Sequence, residues 1–347
     1  MQAVIWGTGV GPFGGISAFN KFKDVYDIIG FADNDSTRAG KSLLGKPIFS
    51  SNELYEVVDN ATLFVIAAPI SYKDINMQLL SKGYFNQISY RLVLEDAYKN
   101  FTKGILFESD SESYSQFGED LIVDILFKSL GILNPKYAEI GVKDPIISSN
   151  TYLFYQRQIK AIHGDFGVLV EADPEYEKHI RLKRPNDKYF AKGITSKRGF
   201  FSFYRPQGAD WRRTFNESFA QSASNVFSES KEDAEINVIT VEAILFDDAM
   251  FGQDIQYVSL DIEGLEEEVV KSIDFNKHPD LLVFVLERNH EAANVLEQNG
   301  FVLFAATPPN DIFVSKKILE QVLKNYQCKR IHRLMQSIIN GDFNIGL

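Results

Sequence analysis

Residues 136–174 read KYAEIGVKDPIISSNTYLFYQRQIKAIHGDFGVLVEADP. Two short apolar runs, 137–140 and 167–170, each stop at an acidic or glycine-bearing turn, and a helix-length segment separates them. Strand, turn, helix and strand in that order make a βαβ unit, whose crossover sets the two strands parallel. Parallel strands end at a common edge, and ligands of open α/β sheets bind in the crevice outside it. Glu139, Gly141 and Glu171 are therefore expected to face one site.

Residue types indicate the chemistry of that site. Gly141 lets backbone approach a ligand closely, and Ser148, Ser149 and Asn150 can cap the next helix. A carboxylate at the end of the second strand, Glu171, can accept both hydroxyls of a ribose. Wrapping a pyrophosphate takes several glycines, whereas EIGVKDP offers one. A ligand with an adenosine end and no pyrophosphate fits better, and S-adenosylmethionine is such a ligand. An ordinary βαβ unit with a polar turn would look the same from this stretch alone.

Further pieces lie in register around it: SQFGED at 115–120, YAEIG at 137–141, SSNT at 148–151, GVLVEADP at 167–174, VSLDIEGLE at 258–266 and PPNDIFV at 308–314. In that order and spacing the chain resembles the FkbM family of S-adenosylmethionine-dependent methyltransferases over about residues 115–315. The family usually has Asp where this chain has Glu139, and a small or glycine-rich turn where it has Val142 to Pro145. The resemblance implies a class I methyltransferase fold with cofactor contacts at Glu139, Gly141, Asn150, Thr151, Glu171 and Asp173. It also implies methyl transfer to an acceptor oxygen, a sugar hydroxyl in surface glycan or polysaccharide assembly.

Length and composition set bounds. At 347 residues the chain exceeds the usual single core, so two domains are expected. A net charge of -11 argues against nucleic-acid binding and against attraction to anionic membranes. One cysteine, Cys328, rules out an intrachain disulfide framework and a thiolate zinc cluster, and fits a reducing compartment. With no basic leader and no run of about 18 apolar residues, the chain reads as cytoplasmic.

Residues 1–95 carry a second strand–helix alternation, which predicts a parallel sheet. QAVIW, DIIGFADND and LFVIAAP are its strands, and Gly9, Gly11 and Gly14 satisfy GxGxxG with Asp33 downstream at the distance of a ribose ligand. Gly7 and Gly9 are better placed after the strand, and their register puts Pro12, which has no amide donor, at the third position. The module thus admits NAD, a nucleotide or nucleotide-sugar, or no ligand. It resembles the small Rossmann-like domains of polysaccharide-biosynthesis proteins. Residues 96–114 read as a linker.

Within 115–315, Ser115 is expected to cap a helix whose first turn holds Glu119 and Asp120. Residues 188–194 should form the third strand, with 199–206 beside it. The segment 208–225 combines Trp211, Arg212, Arg213, Phe215 and Phe219 with polar residues, a mixture suited to gripping a sugar acceptor. IQYVSLDIEGLEEEVV runs from a buried strand into a helix, placing Asp261 and Glu263 at the edge shared with Glu139 and Glu171. Methyl transfer to a hydroxyl needs a base; Asp261 is the first candidate, Glu263 the second and His290 the third. No metal set is assigned, although oxygen ligands gathered here could hold a divalent cation. Glu266 to Glu268 read as a solvated helix face, and residues 316–347 as an amphipathic tail packing on its own domain or on a second subunit in a homo-oligomer. The rival readings are an NAD-dependent sugar-nucleotide oxidoreductase and a non-enzymatic glycan-assembly protein.

Overall fold

The computed structural model describes residues 1–8, 14–68, 72–90, 112–161, 166–207, 212–221, 236–307 and 309–340, without the side chains of 72–74 and 334–340. The chain divides into two compact units, Met1–Phe107 with Arg330–Leu347, and Glu108–Lys329.

In the first unit, β1 (Gln2–Trp6), α1 (Gly15–Phe22), β2 (Asp27–Ala32), β3 (Ser42–Leu43), β4 (Lys46–Phe49), α2 (Ser51–Val57), β5 (Leu63–Ile66), α3 (Tyr72–Ser81) and β6 (Gln87–Ser89) follow in turn. The sheet order is β3-β4-β2-β1-β5-β6, parallel except for β3. Alternate residues of β1 serve two cores: Ala3 and Ile5 pack with Ala18 and Phe22, Val4 and Trp6 with Leu54 and Leu79. A sheet buried on both faces explains why its strands read as continuous apolar runs. Of the glycine motif, Gly9 and Gly11 lie outside the described residues. Asp33 turns toward the same edge and accepts the Thr8 amide at 3.1 Å and the Asp35 amide at 3.0 Å, with Arg38 at 3.6 Å.

The second unit opens with α4 (Glu119–Ser129), β7 (Tyr137–Ile140), α5 (Tyr152–Lys160), β8 (Val168–Val170), α6 (Glu177–Lys183) and β9 (Lys188–Phe190). It continues with β10 (Gly193–Ile194), β11 (Gly199–Pro206), β12 (Ile236–Ile244), α7 (Phe246–Ala249), β13 (Tyr257–Leu260), α8 (Glu266–Ser272) and β14 (Val283–Glu287). It closes with α9 (His290–Gln298), β15 (Phe301–Ala306), β16 (Asn310–Ser315) and α10 (Lys316–Val322), and the last helix, α11 (Tyr326–Asn340), starts in this unit and continues past Lys329 into residues grouped with the first. Seven strands form one sheet, β9-β8-β7-β13-β14-β16-β15, in which β16 runs antiparallel to both neighbours. Numbered within the unit, that order is 3-2-1-4-5-7-6, the Rossmann-like order of the class I methyltransferase fold. The strand order reverses between β7 and β13, so the ligand crevice opens there.

Four expectations are corrected. The third strand does not run through 188–194: Lys188–Phe190 forms β9 at the edge of the seven-stranded sheet, while Gly193–Ile194 forms β10 in a separate sheet. β11 does not lie beside the third strand: it pairs with β12, antiparallel, from Gly199↔Ala243 to Pro206↔Ile236, in a separate sheet of order β10-β12-β11. Its exposed and half-buried aromatics, Phe200 and Phe201, alternate in the way any half-covered strand does, which hides the partner. The helix α4 starts at Glu119 behind a left-handed Gly118 rather than at Ser115. Glu119 is buried and accepts Thr307 Oγ1 at 2.6 Å and Asn310 Nδ2 at 3.1 Å, while buried Asp120 accepts the Ser113 and Ser115 hydroxyls. Glu266, finally, is buried instead of solvated: it accepts the amides of Ile262 and Gly264 at 3.1 Å and so braces the turn before α8.

Cys328 is buried in this second unit, its Sγ 3.7 Å from the Ile125 carbonyl of α4. Among the described residues no helix is long and apolar enough to cross a membrane.

Candidate active site

Register aligns the reactive edge. Leu260 of β13 pairs with Ile140 on one side and Leu286 on the other. The next residues, Gly141, Asp261 and Glu287, therefore form a row across the carboxyl ends of three neighbouring strands. Gly141 has φ +84, and a Cβ added there would lie 1.7 Å from the Asp261 carbonyl oxygen. Only glycine permits the two chains to approach so closely at the switch point. Leu44 aside, the non-glycine residues with left-handed φ among the described ones are Lys143, Ser148 and Glu263, all in turns at this edge. Such conformations cost about 1–3 kcal/mol each and gather where a site needs an imposed shape.

Behind the row lies a buried polar network. Glu139 accepts the Asn150 amide at 3.0 Å, Ser149 Oγ at 2.8 Å and Thr151 Oγ1 at 2.6 Å, and pairs with Arg184 at 3.2 Å. Asn150 donates to Ser259 Oγ at 3.0 Å and its carbonyl accepts the Tyr257 hydroxyl at 3.1 Å. Glu139, Asn150 and Thr151 thus come together, but as braces for the turn between β7 and α5; it is Ser149 that caps that helix, accepting the Tyr152 amide at 3.1 Å. Arg184 escaped the sequence reading because arginine seldom lies inside. It is wholly buried, bonds Asp187 at 2.6 Å, and stacks on Tyr137 and Tyr155 with its guanidinium carbon 5.2 and 4.9 Å from their rings.

Glu171 and Asp173 form a second group. The Glu171 carboxylate accepts the Lys143 amide at 2.9 Å with one oxygen and the Asp173 amide at 2.7 Å with the other. Each oxygen keeps a lone pair, which fits a vicinal diol. Burial pushes the Glu171 pKa up, partly offset by those two amides. Asp173 is fully buried and its carboxylate is occupied by arginines, Arg205 from β11 and Arg213 at 2.7 Å. Through Arg213 it anchors the 212–221 segment.

The third group is acidic. Ligand oxygens of Asp261, Glu263 and Glu287 lie within 4.8 Å of one another, a set that could hold a divalent cation. Asp261 is solvent-accessible, yet crowding by protein atoms and by Glu266 pushes its pKa up to about 7, while a hydrogen bond from Glu287 works in the opposite direction. Burial and then Asp261 raise Glu263 to about 8, and burial with the neighbouring carboxylates raises Glu287 well above the ordinary range. Crowded this closely, the three carboxylates titrate as one unit rather than singly. Glu287 was not a sequence candidate; its signal was the end of a buried strand adjacent to β13, masked by His290 three residues on. His290 stands apart, 70% exposed at the start of α9, with Glu291 at 3.5 Å and Asn294 as its partners.

Of the aromatic segment, Trp211 lies outside the described residues. Asn216 Nδ2 reaches the Gly264 carbonyl at 3.4 Å, and Phe219 packs on Gly264, where an added Cβ would lie 3.0 Å from the ring. The segment therefore contacts the turn that carries Glu263.

Residues 139–306 match the sequence family described as Methyltransferase FkbM domain. The chain is also similar to a solved structure, a methyltransferase FkbM from Methylobacillus flagellatus KT, at 13% identity over 90% of this chain and 89% of that one, with a TM-score of 0.35. No curated protein matches the chain.

Proposed function

We propose that this chain, which carries an FkbM methyltransferase domain over residues 139–306, transfers a methyl group from S-adenosylmethionine to a sugar hydroxyl during surface glycan or polysaccharide assembly in the cytoplasm. The observation that carries the reading is the row Gly141, Asp261, Glu287 at the switch point, with Glu171 one strand away. When bound, the cofactor supplies an electrophilic methyl group on a sulfonium. Glu171 would hold its ribose hydroxyls with the two lone pairs left free by Lys143 and Asp173. Gly141 keeps the floor of the crevice open, while Glu139, Asn150 and Thr151 act through the turn they brace. Asp261 takes the acceptor proton as its oxygen attacks; a carboxylate with pKa near 7 is a better base than an ordinary one and is still ionised at neutral pH in useful fraction. Glu263 shares that proton, and His290 serves at most as an outlying base.

Titrating the full chain with S-adenosylhomocysteine tests this. We expect a Kd below about 100 μM, roughly 5.5 kcal/mol, and at least tenfold weaker binding in Glu171→Ala. Silence at millimolar ligand, with the chain folded, would sink the reading. Convergence of three carboxylates favours a second form of it, in which a divalent cation lowers the acceptor pKa; a chelator that abolishes transfer, restored by Mg²⁺ or Mn²⁺, would select that form. In the first unit, Asp33 and Arg38 at the carboxyl edge support nucleotide-sugar binding. Loss of UDP-glucose affinity in Asp33→Ala would support it, and unchanged affinity would end it.

A further inference from the structure

Among the described residues, two side-chain cations at the reactive edge, the Arg212 guanidinium and the Lys143 ammonium, make no hydrogen bond or ion pair, and Arg212 Nε is buried without an acceptor. Their neighbours behave otherwise: Arg157, Arg184, Arg205, Arg213 and Arg288 each pair with a carboxylate.

Arg212 is nevertheless held in place. The guanidinium lies 5.2 Å from the Phe219 ring, which packs on Gly264, and the next residue, Arg213, is clamped to Asp173 at 2.7 Å. Its charge acts on Glu263 and Glu287, and that of Lys143 acts on Glu263, so both cations belong to the neighbourhood of the acidic group. Beside three carboxylates in a chain of net charge -11, a mobile arginine would fold onto one of them. Stacking keeps this one off them, with its donors available to a third party.

Building on the methyltransferase reading, we propose that Arg212, assisted by Lys143, binds an anionic group on the acceptor, a carboxylate or a phosphate near the hydroxyl to be methylated. The substrate is then an acidic or phosphorylated sugar, and Arg212 determines specificity through a planar fork suited to either oxyanion. The acids beside it take the hydroxyl proton while the cations hold the anion, so the two ends of the acceptor are sorted by charge.

The test uses the full chain loaded with S-adenosylhomocysteine and titrated with methyl β-glucuronide, glucose 1-phosphate and neutral methyl glucoside, in wild type, Arg212→Gln and Lys143→Gln. We expect at least one anionic sugar to bind tenfold or more tighter than the glucoside, and Arg212→Gln to erase that preference while leaving S-adenosylhomocysteine affinity within twofold. The glucuronide and the phosphate distinguish the two anions. Equal binding of neutral and anionic sugars, a preference that survives Arg212→Gln, or no anionic binding up to roughly 20 mM, about 2.3 kcal/mol on the affinity scale, would overturn the proposal. Weakened S-adenosylhomocysteine binding in Arg212→Gln would also overturn it, assigning the arginine to the cofactor's own carboxylate. Failure of the wild type to bind S-adenosylhomocysteine is a different result, which removes the underlying reading.

Discussion

At Asp261 solvent access and a raised pKa coexist because crowding by protein atoms comes first and the negative charge of Glu266, Glu139 and Glu171 adds to it, against a hydrogen bond from Glu287 that works the other way. The acid titrates upward, so activity should climb with pH through about 7. Glu287 donates a hydrogen bond that holds the Asp261 pKa down, so in Glu287→Ala the acidic limb of kcat/KM should move to higher pH; a limb that stays in place would dissociate Glu287 from the base. Asp261→Asn should lower kcat by at least about 100-fold, in the range of a lost general base, with S-adenosylhomocysteine affinity retained. Stability has the matching sign. Groups whose pKa is raised on folding stabilise the protein below their ordinary values and lose that contribution as pH rises through the folded ones, here about 7 for Asp261 and about 8 for Glu263. Melting temperature should therefore fall between about pH 4 and pH 9, and less so in Asp261→Asn with Glu263→Gln; identical slopes would contradict the coupling. Asp261 and Glu171 were legible because each terminates an apolar run at a known edge. Arg184 was not, since nothing in HIRLKRPND separates a buried arginine from its exposed neighbours. Replacing it by Leu leaves Glu139 and Asp187 charged and unpaired, at a cost of about 3–5 kcal/mol in urea unfolding.

Elements meet at their ends more tightly than sequence periodicity can show. The β7–β13 approach depends on the missing Cβ of Gly141, whereas Gly131, with a similar φ of +77, has nothing within 4 Å of the same position. Gly131→Ala should cost only the left-handed penalty, about 1–2 kcal/mol, while Gly141→Ala adds a backbone clash and should exceed it by at least about 2 kcal/mol. Similar unfolding midpoints for the two variants would show that the strands can part. Apolar runs made β7, β8, β13 and β14 readable, and the turn residues marked their ends. The place of β11 was not readable: its partner β12 begins 30 positions after it ends, from Pro206 to Ile236, and a period of two names a strand without naming its neighbour. Glu266 was misread for a related reason, because three consecutive acids look alike until the helix start turns one of them inward.

For the molecule as a whole, the division at Phe107 and Lys329 places each residue assigned to methyl transfer in Glu108–Lys329. A chain of residues 108–329 should accordingly bind S-adenosylhomocysteine within about threefold of the full-length protein, under 1 kcal/mol; a larger loss would mean that the other unit completes the site. Two α/β patterns were visible from length and alternation alone, but composition offers no signal that the terminal residues from Arg330 onward group with the first unit. The pairing of Pro206 with Ile236 bears on how such a protein can change over generations. The residues that connect Pro206 to Ile236 join two ends already held by a strand pair, so a change in the length of that connection alters loop closure by only about 0.6 kcal/mol per doubling. Arg212 rides on that connection, while Glu171, Asp261 and Glu287 do not. If Arg212 selects the acceptor as proposed, changes in that connection would alter the acceptor while leaving the strand ends of the main sheet in place, and proteins built on one such sheet could diverge in substrate by exchanging a single segment.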